Sequence, residues 1–279
     1  MNTYLSRFDA MADKAAAQVI AQYSTSFSLA VRTLPKPERT HIRNLYAVVR
    51  IADEIVDGTT TQANECPETA LDLYEEQVLH APAHRFHTDP VLHAWARTYR
   101  ECRLNHEHMQ AFFASMRADL TQTTFTQQQL DTYIYGSAEV IGLMCLDIFL
   151  RGRDTPRRRE LEEGARALGS AFQKVNFLRD LGEDSRALGR AYFNAPLDDD
   201  LKSTLTSQIA DELDRAHTAI PLLPPAARGG VAAAEALFRE LNARIAATPA
   251  AELHTTRVRV PNHLKVALTA KALANSRKP

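Results

Sequence analysis

The run Gln173-Lys174-Val175-Asn176-Phe177-Leu178-Arg179-Asp180-Leu181-Gly182-Glu183-Asp184 decides how the chain folds. At the helical period, Gln173, Asn176, Asp180 and Asp184 recur at i, i+3, i+7 and i+11, one unbroken stripe on one face. Phe172, Val175, Phe177, Leu178 and Leu181 flank that stripe, so the segment reads as a largely buried helix. Two aspartates, two amides and Arg179 inside an apolar helix would cost several kcal/mol unless paired or metal-bound. The stripe is therefore a candidate site.

A second stripe answers it far upstream. Tyr46, Arg50, Asp53 and Asp57 are spaced i, i+4, i+7 and i+11, among the apolar Val48, Val49, Ile51, Ile55 and Val56. Two buried helices, each carrying Asp-x-x-x-Asp with an arginine just before it, point to one shared cavity. Facing carboxylates repel strongly at low dielectric, so a cation belongs between them. An all-oxygen ligand set favours Mg²⁺ over zinc, and Mn²⁺ can fill the same set. Because Mg²⁺ dehydrates reluctantly and is usually completed by substrate phosphates, the implied ligand is a di- or triphosphate.

Composition removes other classes. The 279 residues carry a formal net charge of -1, with no basic tract interleaved with aromatics, so nucleic acid is not an expected partner. The N-terminus lacks the apolar core of a signal peptide, and the apolar run Val140 to Leu150, broken by Asp147, is too short to span a bilayer. Cys66, Cys102 and Cys145 are too widely spaced for a disulfide framework or a zinc pattern; free thiols in a reducing cytosol are expected. The histidines at 84, 87, 106 and 108 lack the carboxylate spacing of a zinc site and read as surface residues. Nucleotide-binding glycine motifs and Ser/His/Asp hydrolase signatures are absent.

Nearly every long segment reads as helix and none alternates like a strand. Helices are expected at about 4–22, 68–80, 89–101, 106–119, 127–150, 201–219, 230–247 and 261–273, besides the two that carry the stripes. Tyr23 to Ser28 reads as a hydroxyl-rich turn with two meanings, helix capping or phosphate contact. Gly58 to Pro67 reads as a loop, and Asp198-Asp199-Asp200 as an N-terminal cap rather than a metal cluster. With no internal repeat or low-complexity boundary, residues 1–279 are expected to form a single all-α domain.

Taken together, Tyr23-Ser-Thr-Ser-Phe, Leu45 to Asp57, Tyr133-Ile-Tyr-Gly with Ile141-Gly-Leu-Met-Cys, and Phe172 to Asp184 followed by Gly189-Arg-Ala-Tyr-Phe resemble the squalene/phytoene synthases. The order and spacing agree over most of the chain, and Arg179-Asp-Leu-Gly-Glu-Asp is specific to this group. The resemblance implies an isoprenoid-synthase helical bundle with a central cavity, acting as a prenyltransferase on two prenyl diphosphates joined head to head. It implies Mg²⁺ ligation by Asp53, Asp57, Asn176, Asp180 and Asp184. Arg50, Arg179, Gln173, Tyr46, Ser24 and Ser26 would line the diphosphate sites, and Tyr133 matches the tyrosine proposed to handle the proton lost in forming a cyclopropane. Arg257, or Arg259 beside it, resembles a C-terminal arginine that reaches a diphosphate.

Bridging metal ions and arginines would neutralise the departing pyrophosphate, while apolar and aromatic walls tolerate the carbocation and exclude water. The expected product is phytoene from two geranylgeranyl diphosphates; squalene or dehydrosqualene from farnesyl diphosphate is the alternative, with NADPH required only for squalene. A non-catalytic scaffold relative and a head-to-tail or cyclising synthase are the rivals, disfavoured by the retained aspartates and by the Asn176-x-x-Arg-Asp form. Glu139 replaces the family's usual glycine and would polarise the cavity if it faced inward. Phe238 stands where many members have a tyrosine. A cytoplasmic monomer or homodimer is expected, with transient membrane-surface contact; the basic segment from Arg257 either packs on the bundle or touches lipid.

Overall fold

The computed structural model describes residues 3–183, 192–193 and 196–276. Every regular element among them is helical. Helix α1 spans Tyr4–Tyr23, α2 Thr25–Arg32, α3 Lys36–Val56 and α4 Thr59–Gln62; α5 spans Pro67–His80, α6 Pro90–Cys102 and α7 His106–Thr121. Then come α8 Gln127–Ile134, α9 Val140–Leu150, α10 Arg158–Glu183, α11 Asp199–Ala219, α12 Pro225–Ala247, α13 Ala250–Leu253 and α14 Asn262–Ser276.

Short polar side chains set many of the starts. Thr3, Ser24, Asp89, Asn105, Thr126 and Asp198 each accept a hydrogen bond from a first-turn backbone N–H, satisfying a donor the helix itself leaves open. The Asp198-Asp199-Asp200 run is thus a cap, with Asp199 held by Lys202 and by the Ala250 N–H. Two expected irregular stretches differ from their reading. The Tyr23–Ser28 turn shrinks to Ser24, because its hydroxyl starts α2 at once. The loop after Asp57 contains the single helical turn α4, entered through Gly58 at φ 110°.

The segment expected as one helix over 127–150 is interrupted at Tyr135–Glu139 by a π-helical turn. That widened turn is packed by glycine. A Cβ on Gly136 would lie 2.3 Å from the Ala111 carbonyl oxygen and 2.2 Å from Ser115 Oγ on α7. Replacing Gly136 by alanine is expected to destabilise the fold by about 3 kcal/mol, since backbone must move to admit the methyl group. Chemical denaturation of G136A checks this; an unchanged midpoint would show that α7 yields freely.

The same economy repeats on α10. A Cβ on Gly169 would come within 2.5 Å of the Ala138 carbonyl oxygen, and one on Gly142 within 2.3 Å of the Ala165 carbonyl oxygen. The π turn and α9 therefore lie against α10 backbone to backbone. By length and composition Gln127–Leu150 could cross a membrane, but 67% of its most apolar window is buried in the bundle.

Two apolar clusters form the core. One gathers Trp95, Phe112, Phe113, Leu45 and Met144 from α3, α6, α7 and α9. The other gathers Leu178, Ile209, Leu213 and Ile245 from α10, α11 and α12. Ile42 and Leu146 of the first and Leu241 and Val258 of the second line one cavity of about 1060 Å³.

Candidate active site

Both acidic stripes face that cavity. Tyr46, Arg50, Asp53 and Asp57 reach it from α3 and its end, and Gln173, Asn176, Arg179 and Asp180 from α10. Ser24, Ser26, Tyr133 and Arg257 line it too. Asp184 and the Gly189-Arg-Ala segment lie outside the described residues. Twelve of the thirteen candidate side chains thus meet in one space, as two facing helices require.

The electrostatics of the α3 side are unfavourable for two free carboxylates. The Asp53 side chain is 32% exposed, but what it is exposed to is the cavity. Burial first, and then the neighbouring Asp57 charge, push its pKa up to about 8 against the pull of Arg50; Asp119 adds to the rise. Arg50 is spread across this group. Its Nη1 lies 3.8 Å from Asp53 Oδ2, its Nη2 pairs with Glu54, and its guanidinium sits 4.4 Å from the Tyr23 ring centroid. Burial works against that charge, but Asp53 and Glu54 outweigh it and keep the guanidinium protonated. The Tyr46 phenol, pushed up to about 12 chiefly by burial, stays a neutral hydrogen-bonding group.

Across the cavity, Asp180 is held by arginine. Arg179 Nε lies 2.9 Å from Asp180 Oδ1 and its Nη2 bonds the other oxygen, while Arg257 Nε is also 2.9 Å from Oδ1. Of the two C-terminal arginines, Arg257 is the one that meets the acidic stripe. Arg259 and Lys265 line the same mouth, and Lys265 donates to Thr25 Oγ1 at 3.1 Å, tying α14 to α2. Burial, then Arg259 and Arg179, lower the Lys265 pKa.

The donor set suits a hard cation. Asn176 Oδ1 is buried without a hydrogen-bond partner, which is costly unless something electropositive approaches it. A positive neighbour would relieve the raised pKa of Asp53. Among the described residues no group of three or more His, Cys, Asp or Glu is close enough to hold an ion by itself. Oxygens from a ligand's phosphates would complement the described set, the habit of Mg²⁺.

Three open readings resolve here. Glu139 turns away from the cavity and pairs with Arg166 at 2.6 Å, so it does not polarise the interior. Phe238 stacks on Phe172 with ring centroids 3.7 Å apart, giving the wall an aromatic face where many members have a tyrosine. The segment from Arg257 packs on the bundle, with α14 against α12, although Val266 stays exposed. All three cysteines are free, as expected; Cys145 lines the cavity, its thiol pushed up to about 12 by burial.

Sequence reasoning missed Asp119, Lys265 and the π turn. Asp119 Oδ2 accepts the Tyr133 hydroxyl at 2.9 Å, from a position where the helix was expected to end. The Thr25 partner of Lys265 is 240 residues away, a pairing no local pattern encodes.

Helices enclosing a cavity with two acidic faces define the all-α isoprenoid-synthase fold. The backbone superposes on a dehydrosqualene synthase crystal structure with a TM-score of 0.80 at 23% identity, covering 97% of this chain and 98% of that one. On the squalene synthase HpnC from Alicyclobacillus acidocaldarius the TM-score is 0.71 at 24% identity, covering 84% and 92%. The chain belongs to the squalene/phytoene synthase family, whose profile matches residues 20–263.

Among named relatives, a phytoene synthase of Arthrospira platensis is 34% identical over 191 residues, 65% of this chain and 60% of that protein. A 4,4'-diapophytoene synthase of Staphylococcus haemolyticus is 31% identical over 203 residues, 71% and 66% of the two chains. A 15-cis-phytoene synthase of Synechococcus elongatus is 29% identical over 253 residues, 80% of each chain. The first two matches therefore span 60% and 66% of those relatives' own length, less than two thirds of each.

Proposed function

We propose that this protein is a Mg²⁺-dependent prenyltransferase that joins two prenyl diphosphates head to head, with phytoene as its product. One observation carries the reading: two helices bearing aspartate, arginine and amide groups converge on a single cavity that also has a long apolar wall. Leu161, Gly164, Ala165 and Leu168 continue that wall along α10 away from Asp180. From Asp180 to Leu161 the helix rises about 28 Å, room for a long tail behind a charged head. The volume slightly exceeds the roughly 300–1,000 Å³ usual for small-molecule sites, which fits two substrates better than one.

In this reading Asp53, Asp57, Asn176, Asp180 and Asp184 hold Mg²⁺. When bound, the metal offsets the charge of the departing pyrophosphate. Arg50, Arg179 and Arg257, with Ser24, Ser26, Tyr46 and Gln173, orient the two diphosphates. Phe177, Tyr192 and Tyr133 form an aromatic wall beside them, backed by Phe125, with Phe177 and Tyr192 stacked at 4.0 Å. Such faces stabilise a carbocation without offering it a nucleophile. One tail ionises, its cation alkylates the partner's double bond, and proton loss closes a cyclopropylcarbinyl diphosphate. A second ionisation, rearrangement and proton loss give the hydrocarbon. Release of so apolar a product fits a cytoplasmic protein that touches the membrane surface transiently.

A C30 product from farnesyl diphosphate is the second reading, favoured by the likeness to the dehydrosqualene synthase structure. Incubation with Mg²⁺ and labelled C20 or C15 diphosphate, with and without NADPH, separates them. A C40 hydrocarbon from the C20 substrate, independent of NADPH, is expected. Absence of any C30 or C40 hydrocarbon or cyclopropyl intermediate would overturn the proposal and favour a scaffold role.

A further inference from the structure

Tyr133 is gripped at both ends by one face of α7. Ser115 Oγ donates to the Tyr133 backbone carbonyl at 3.1 Å, and one helical turn on, Asp119 Oδ2 accepts the Tyr133 phenol at 2.9 Å. The ring between these tethers is 5% exposed, with Phe125, Phe177 and Tyr192 at centroid distances of 5.2, 6.1 and 6.1 Å. Both Asp119 and Tyr133 line the cavity at its acidic end, where the Asp119 charge is felt by Asp53. A hydrogen bond serving only to hold α7 to α8 would have no reason to face the substrate space. Nor do Asp53, Asp57 and Asp119 draw close enough to form a ready three-carboxylate metal cluster.

We infer that Asp119 is the proton acceptor behind Tyr133, positioning the phenol and taking its proton as the cyclopropane ring closes. This rests on the head-to-head reading above. The balance is simple. The cation's C–H proton moves to Tyr133 Oη while the Oη–H proton passes to Asp119 Oδ2. The C–H bonding pair becomes the new ring bond, the phenol is unchanged, and Asp119 ends as a neutral acid. The phenol alone is too weak a base for this work, since its proton must leave as another arrives. A carboxylate at hydrogen-bond distance removes that barrier, the usual arrangement for a positioned acid–base pair.

Asp119→Asn is the informative change, because an amide carbonyl still accepts the phenol's hydrogen bond but takes no proton. In D119N, kcat for the cyclopropyl diphosphate is expected to fall about 100-fold with KM unchanged. Pyrophosphate release should then outrun hydrocarbon formation, with the uncaptured cation appearing as prenyl alcohol. Combined with Tyr133→Phe, D119N should add no further loss, because two parts of one relay are not additive. Wild-type enzyme in D₂O should close the ring more slowly, a measurement that needs no variant to fold. Near-wild-type turnover by D119N, additive losses, or no solvent isotope effect would each overturn the relay. Wild-type protein that makes no cyclopropyl or hydrocarbon product would instead sink the head-to-head reading itself.

Discussion

Changing Asp53 and Asp180 together to asparagine is expected to lower hydrocarbon formation by about 10⁴-fold or more, with the fold retained. In the proposed reading the two carboxylates hold metal from opposite helices, and losing one charge-stabilising group in such a site commonly costs about 10²–10³ in rate. The effects on stability should oppose each other. Asp180→Asn removes a carboxylate that Arg179 and Arg257 both meet, whereas Asp53→Asn relieves repulsion with Asp57. Steady-state assays and thermal melts read the two quantities separately, and turnover within tenfold of wild type would sink the two-faced metal site.

The Asp53 shift fixes the sign of a pH effect in metal-free protein. With its pKa raised to about 8 in the folded chain, Asp53 keeps a proton that the unfolded chain has released above about pH 4. Between these values the native state binds more protons, so this contribution to stability is lost as pH rises. The melting temperature of wild type minus that of D53N should therefore fall from pH 4 to pH 8. A flat difference would show that Asp53 is ionised at little cost.

Ala165→Phe is expected to abolish C40 formation, by about 100-fold or more, while sparing condensation of the C15 substrate. Ala165 lies about 22 Å along α10 from Asp180, half-buried and lining the cavity. A phenyl ring there takes up about the room of one isoprene unit, the difference between the two substrates, and overfilling a packed space typically costs a few kcal/mol. Product chromatography after incubation with each diphosphate checks it. Equal loss with both substrates would place the tails elsewhere.

How legible the site was depended on whether its residues share a helix. Asp53 with Asp57, and Asn176 with Asp180, announce themselves because period and apolar flanks are properties of a single segment. Polar caps and prolines likewise marked most helix ends within a residue or two. Asp119 gave no such signal. It stands as a lone acid near the end of a helix, with no second acid in step with it, and its meaning comes from a tyrosine across a loop. The direction of Glu139 was undecidable for a related reason: the π turn shifts the register of every side chain it holds, and nothing in its composition announces the extra residue per turn. Arg179, read as lining a diphosphate site, does line the cavity, and there it pairs with Asp180, its neighbour in sequence.

The glycine contacts at 142 and 169 make part of the pocket lining main chain rather than side chain. Main chain in a helix has no rotamers to swap, so this stretch behaves as a fixed gauge. A lineage seeking longer or shorter products would find little freedom in that backbone seam, and would have to work through lining side chains such as Val31, Ile42 and Leu223, which can be exchanged one at a time.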